Sequence, residues 1–361
     1  MHRPTPFFLR LVTILLLAVA ILLPPTSGAS NIPPKSPDYP QGVSSINPGS
    51  DLWREVRQRD GLIVDGISQV KGVETGVLIN VRGDQWARFR INEVTKTVSY
   101  ALVGVFGILV LVFVLRGKVG IKGGRSGRVV RRFTDYERIV HWTLTIVFLF
   151  LAITGLILLL GRPLLLPLFG KEVFALFASA SKEGHNLFGP LFLVSLLMML
   201  FSFTRHNIYE KGDLGWLLKL GGLIGDGHPS VGFFNMGEKF WYWIVILIGL
   251  VVSISGLILV SPNFGQGRVI MEISHLVHVI GALVLMLGSL GHMYMGTIGI
   301  EGALQGMTSG YVDTNWADAH HDRWSRECQQ KGLTLSADEF ARLRGETPAA
   351  DAEVAAQERA K

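Results

Sequence analysis

The sequence predicts an all-α integral membrane protein, a bundle of transmembrane helices. Three observations carry the prediction. Mean hydropathy is +0.38 with only 17% charged residues in 361. Five apolar runs, at about 98–115, 141–160, 186–203, 240–261 and 273–298, are each long enough to cross the hydrocarbon layer. Basic residues crowd into alternate loops between those runs.

Residues 1–29 read as a secretory signal. Arg3 and Arg10 supply positive charge, Leu11–Leu23 is the apolar core, and Ser27-Gly28-Ala29 resembles a cleavage site. An uncleaved anchor is the alternative, and either places the next segment outside the cytoplasm. Residues 30–97 form that segment. Its first part, Asn31 to Ser50, is rich in Pro, Ser and Gly and reads as a linker. Gly76 to Val81 is short, apolar and β-prone, and is followed by Trp86, Arg88 and Arg90. A partner-docking element fits a segment this small.

The loop 116–140 holds eight basic residues, among them Arg116, Lys118, Arg131 and Arg138, and 204–239 holds Arg205, Lys211, Lys219 and Lys239. The intervening loops carry Arg162, Lys171 and Lys182, and then only Arg268. The positive-inside rule places the two basic loops in the cytoplasm, in agreement with an exported N-terminal segment. The tail, 299–361, is then cytoplasmic. Trp316, His320, His321, Trp324 and Arg326 suggest a packed element in it, and beyond Pro348 the Ala/Glu-rich end reads as disordered. The net charge of +6 is a topology signal under this arrangement. It does not describe a nucleic-acid surface, and no nucleic-acid partner is expected.

Cys328 is the single cysteine. One thiol cannot make an internal disulfide, a cysteine-ligated iron–sulfur cluster or a CxxCH haem attachment.

His278 and His292 sit 14 residues apart in the last apolar run. Fourteen residues make four helical turns less about 40°, with a rise of roughly 21 Å. Both imidazoles therefore leave nearly the same face, one near each side of a bilayer. An ionisable side chain inside a membrane helix is costly and marks a functional site by default. The loop charges give His278 the outer depth and His292 the inner. His141 opens the second run at the inner depth, and His185 precedes the third at the outer. Singly, a histidine beside Trp142 at a boundary is ordinary. Jointly, two histidines at each depth from three runs is the arrangement that bis-histidine ligation of two b-type haems needs. His141 would pair with His292 and His185 with His278.

His275 is a rival for the outer position, but 17 residues from His292 leave it about 100° off the shared face. His206 reads as a boundary residue or haem-propionate neighbour, and His228, His320 and His321 as solvated. Gly155, Gly189, Gly249, Gly256, Gly281 and Gly288 allow close helix packing or room for a macrocycle.

Several motifs resemble the cytochrome b (gamma) subunits of respiratory formate dehydrogenases. They are Arg132-Phe133-Thr134-Asp135 with His141-Trp142, Gly184-His185, Arg205-His206-Asn207-Ile208 with Trp216-Leu217, and Asn235-Met236-Gly237-Glu238-Lys239. His292-Met293-Tyr294-Met295, Gly302, Gly306-Met307 and His320-His321 followed by Arg323-Trp324 continue the likeness over about 131–328. Hydrogenase and thiosulfate reductase cytochromes b share the two-histidine helix. The Asn-x-Gly segment and the His-His tail favour formate dehydrogenase.

The resemblance implies a four-helix di-haem cytochrome b core at 131–298, to which 98–115 adds an extra N-terminal span. It implies haem ligands at His141, His185, His278 and His292, and a quinone site near His292, Asn235 and Gly237. The Gln usual in that loop is Glu238 here. It also implies partners, a molybdenum or tungsten catalytic subunit and an iron–sulfur subunit. Electrons would pass from them through two b-type haems to quinone in anaerobic respiration, in the inner membrane of a bacterium and in contact with membrane lipid. The chain itself shows no apparatus for oxidising formate. A hydrogenase cytochrome b and a non-redox membrane anchor are the alternatives.

Overall fold

The computed structural model describes residues 81–219 and 230–346. The signal at 1–29, the run 76–80, His228 and the tail end from 347 lie outside the described residues. Apart from Val81, everything below belongs to the compact unit that starts at Arg82.

Helix α1 (Val81–Phe89) continues through a π-helical turn, Arg90–Val94, into α2 (Thr95–Arg116). Helix α3 (Asp135–Phe203), α5 (Met236–Val260) and α6 (Arg268–Tyr294) follow, with short α4 (Asp213–Leu218) before α5. Among the described residues, four helices are long and apolar enough to cross a membrane: α2, α3, α5 and α6.

The 69 residues of α3 would span about 100 Å if straight, but Gly170 breaks it. Its φ of 78° and ψ of 177° leave the helical region, a conformation only glycine adopts without strain. Contacts recede symmetrically from that point. Gly161 meets Phe174, Thr154 meets His185, Phe150 meets Phe188, Phe148 meets Phe192, and Glu137 meets Arg205. The two limbs, 135–169 and 171–203, are therefore an antiparallel hairpin. The sequence suggested spans ending at 160 and restarting at 186. Leu164, Leu165, Phe169, Phe174 and Phe177 keep the residues between apolar, and the helix continues through Pro163 and Pro167 up to the break.

Capping boxes start the helices at the basic end. Thr134 accepts the Glu137 N–H while the Glu137 carboxylate accepts from the Thr134 backbone, and Asn235 and Glu238 do the same for α5. The core lies where α5 packs between its neighbours, with Leu196 and Ile246 at its centre, beside Val140 and Leu285. Gly249 lets the Leu196 side chain approach α5, and Gly281 lets Val252 approach α6.

A three-stranded antiparallel sheet closes one end. Its centre is β1 (Arg128–Arg131), flanked by β2 (Tyr311–Asp313) and β3 (Thr334–Ser336). Helix α7 (Ala303–Thr308) precedes β2, α8 (Thr314–His320) and α9 (Asp322–Gln330) follow it, and α10 (Ala337–Leu343) follows β3. Val130 pairs with Val312 and both are buried with Trp316, Trp324 and Cys328 in a second small core. Hereafter this is the sheet end and the Gly170 turn marks the hairpin end. The sequence predicts no strand here, since strands of three or four residues paired across about 200 residues leave no periodic signal. It also reads His321 as solvated. His321 is 1% exposed, because α8 and α9 fold back over the loop that leads into α5.

Candidate functional site

The sequence-selected histidines come from two pieces of chain. His141 lies in the first limb of α3, near the sheet end, and His185 in the second limb, toward the hairpin end. His292 and His278 lie at corresponding depths on α6. The His141 and His292 ring centroids are 6.2 Å apart, and those of His185 and His278 are 6.0 Å apart. The structure thus brings the four into two facing pairs.

At the hairpin-end pair, both Nδ1 atoms are engaged. His278 Nδ1 lies 3.0 Å from the Val252 carbonyl and 3.3 Å from Ser255 Oγ, and His185 Nδ1 lies 2.9 Å from Thr154 Oγ1. A carbonyl can only accept, so His278 carries its proton on Nδ1 and leaves Nε2 with a free lone pair. Metal-bound histidines are oriented in this way by an outer hydrogen bond. Glycines admit the rings: a Cβ on Gly155 would come 3.2 Å from His185 Cε1, and one on Gly256 3.0 Å from His278 Cε1. At the sheet-end pair, the Trp241 ring stacks on His292 at 6.0 Å, and Gly288 lies directly against that indole. His141 Nδ1 is buried without a hydrogen-bond partner.

These features fit a b-type haem at each pair. Two metal–imidazole bonds of about 2 Å each span roughly 4 Å, which facing rings about 6 Å apart accommodate. Among the described residues, no three His, Cys, Asp or Glu converge on one point. A pair of imidazoles suits an iron that brings its own equatorial ligands. Helix α6 packs closely along α5 and α2, and α5 along α3, whereas α3 and α6 are not among the closely packed pairs. The histidines therefore face each other across a gap between helices.

His275, the rival ligand, points elsewhere. Its ring meets the Trp86 ring edge-on at 5.6 Å, and its Nδ1 is buried without a partner.

Asn235 and Gly237 lie at the sheet end. Asn235 caps α5 through its side-chain oxygen, 2.9 Å from the Glu238 N–H, and Gly237 sits under the Trp216 ring. Glu238 lies three residues before Trp241, on the same helix face, one turn nearer the sheet end. His206 stacks on Phe233 at 4.4 Å and lies 3.8 Å from Glu137.

The sequence reading missed a buried cationic centre beside Glu238. Arg132 is 6% exposed and lies 5.0–5.5 Å from the centroids of Phe133, Phe233, Phe234, Trp316 and Trp324. Its Nη2 donates to the Phe233 carbonyl at 2.9 Å and lies 3.4 Å from Glu238, while Nη1 has no partner. Burial pulls the guanidinium down to about 10, against the attraction of Glu238. His321 donates from Nδ1 to the Gly232 carbonyl and presents Nε2 3.8 Å from Glu238. Burial first, and then the Arg132 charge, hold His321 well below the ordinary histidine range, so it is neutral. Thr154, Ser255 and Trp241 also went unread, for want of any spacing rule linking them to the histidines. The capping box at Asn235 did have a signal, the Asn-x-x-Glu spacing.

Residues 132–310 match the family described as prokaryotic cytochrome b561. The cytochrome b556(Fdn) subunit of the nitrate-inducible formate dehydrogenase of Escherichia coli strain K12 is 31% identical over 211 residues, 57% of this chain and 94% of that protein. The cytochrome b556(fdo) subunit of formate dehydrogenase from the same strain is 26% identical over 203 residues, 55% of this chain and 93% of that protein. The formate dehydrogenase cytochrome b556 subunit of Haemophilus influenzae is 28% identical over 206 residues, 55% and 83% of the two chains.

Proposed function

The chain belongs to the family of formate dehydrogenase cytochrome b subunits, and from that premise we propose that it carries electrons between two b-type haems to a quinone. The observation that carries the proposal is the pair of facing imidazoles at each of two depths, with both α6 histidines on one helix face. When bound, the haems supply one-electron redox chemistry at the two depths.

The protein's part is to hold and insulate. Thr154 and the Val252 carbonyl orient His185 and His278. Gly155 and Gly256 leave room for those rings, and Trp241 backs His292. The apolar walls of α3, α5 and α6 keep water from the helix gap. The basic loops support an orientation with the sheet end in the cytoplasm and the hairpin end outside. In this reading, a catalytic subunit with molybdenum or tungsten and an iron–sulfur subunit deliver formate electrons at the hairpin end. Quinone is reduced near His292, Asn235 and Gly237, with protons drawn from the cytoplasm. Inward electron transfer separates charge, at about 2.3 kcal/mol per charge for each 100 mV.

In this reading the protein lies in a bacterial inner membrane, with residues 30–97 periplasmic. Purified chain should give a dithionite-reduced minus oxidised b-type spectrum with two haems per chain. A folded, inserted sample without that absorbance would refute the proposal and leave a membrane anchor.

A further inference from the structure

At the sheet end a cavity of about 540 Å³ opens between β1, the first turn of α3, the end of α7 and α10. Arg131, Arg138 and Arg344 line it, with Asp135, Ser309 and Tyr311. Three guanidinium groups line it with one carboxylate, Asp135, and Glu346 stands beside Arg344 as a second. Arg138 is fixed: its Nε donates to the Met307 carbonyl at 3.1 Å, its Nη2 to the Thr308 carbonyl, and its Nη1 to Asp135 at 2.9 Å. Arg131 lies 3.6 Å from Asp135, and Arg344 pairs with Glu346 at 2.9 Å while lying over the Phe340 ring. Arg131 and Arg344 keep about half their side-chain surface open, at 50% and 52%.

The cavity sits at the membrane boundary. One turn along α3 from Arg138, the half-exposed Trp142 donates its indole N–H to the Met307 carbonyl at 3.0 Å. Tryptophan at that position belongs to the interfacial belt. Asp135, Ile139, Trp142, Ile146, Leu149 and Ile153 follow a 4-3-4-3-4 spacing, which keeps them on one helix face. Ile139, Ile146 and Ile153 are 61%, 65% and 60% exposed. The face that walls the cavity therefore runs on as an open apolar ridge.

We propose that this cavity binds the phosphate of an anionic phospholipid whose acyl chains lie along the Ile139–Ile146–Ile153 ridge. Guanidinium groups match phosphate oxygens bidentately, and basic pockets at membrane helix ends bind lipid head groups. The ridge is what selects a lipid over free phosphate, since a small anion would make no use of it.

The test is native mass spectrometry of the full chain, released from vesicles of equal phosphatidylglycerol and phosphatidylcholine. Phosphatidylglycerol should be retained several-fold over phosphatidylcholine, and the Arg131→Gln/Arg344→Gln variant should lose that preference while keeping its haem spectrum and elution volume. Equal retention of the two lipids would overturn the proposal, as would undiminished preference in the variant. Inorganic phosphate that is retained as well as the lipid would make this a free-anion site and overturn it too. Should the double variant fail to fold, Arg344→Gln alone, on the exposed side of the cavity, must lower the preference.

Discussion

Thr154 Oγ1 lies 2.9 Å from His185 Nδ1, joining the two limbs of α3 at the depth where His185 faces His278. The same hydroxyl also reaches the Phe150 carbonyl at 2.9 Å. One threonine thus fixes both a helix turn and an imidazole.

Replacing Thr154 with Val should free the His185 ring at nearly constant volume. Outer partners of metal-bound histidines are worth about 10–100-fold in affinity. Haem content by pyridine haemochrome should fall toward one per chain, with the sheet-end haem retained. Full loading with an unchanged spectrum would mean that the hydroxyl does not orient the ring.

His292→Ala should remove the sheet-end haem and leave the other. In the intact complex, formate oxidation with an artificial dye should persist while quinone reduction is lost. Quinone reduction at the normal rate in this variant would contradict the assigned acceptor side.

Two glycines make a matched pair of tests. A Cβ on Gly256 would come 3.0 Å from His278 Cε1, whose ring is held by Val252, whereas a Cβ on Gly189 meets nothing within 4 Å. Gly256→Ala should cost about 1–3 kcal/mol by overpacking and should shift the hairpin-end haem spectrum. Gly189→Ala should do neither. Equal behaviour of the two in thermal melts and spectra would refute the contact.

Arg132→Ala should lower stability by about 1–3 kcal/mol, since it empties the aromatic cage and takes the cation from Glu238. The Arg132→Ala/Glu238→Gln double variant should recover part of that loss. A denaturation midpoint that falls further in the double variant would show that Glu238 has other work at this position.

Asp322 predicts how tightly α9 docks as pH changes. Partial burial pushes its carboxyl up. The Val231 N–H, the Ser230 hydroxyl, Arg326 and the Arg323 N–H outweigh that and hold it below the usual range. A carboxyl depressed in the folded state adds stability above its unfolded value of about 3.9 and loses it as pH falls through the folded value. Protection of the Val231 N–H, which is 2.7 Å from Asp322, measured against its intrinsic exchange rate at each pH, should therefore fall only in acid. In Asp322→Asn that acid-dependent step should disappear.

The long elements were legible because hydrophobicity writes them locally. Apolar runs marked the spans, and the spacing of His278 and His292 put both on one helix face before any tertiary contact was known. The interior of α3 was not, because the break depends on the backbone angles of Gly170, and Arg162, Lys171 and Lys182 made the stretch look like a loop. The sheet and the Arg132 cage were invisible for a different reason. They join residues about 100 to 200 positions apart, through strands too short to show alternation. The glycines were read as packing or as macrocycle room. In the structure Gly155 and Gly256 accommodate imidazoles, and Gly249 and Gly281 accommodate core side chains.

The turn at Gly170 has a bearing on assembly. Because α3 doubles back there, one hairpin offers His141 to one end of α6 and His185 to the other. Each iron, in the proposed arrangement, would rivet the same two pieces of chain at a different height, across a gap that side-chain packing leaves open. Loading would then be a construction step: the first rivet sets α6 against the hairpin, and the second finds its partners already aligned.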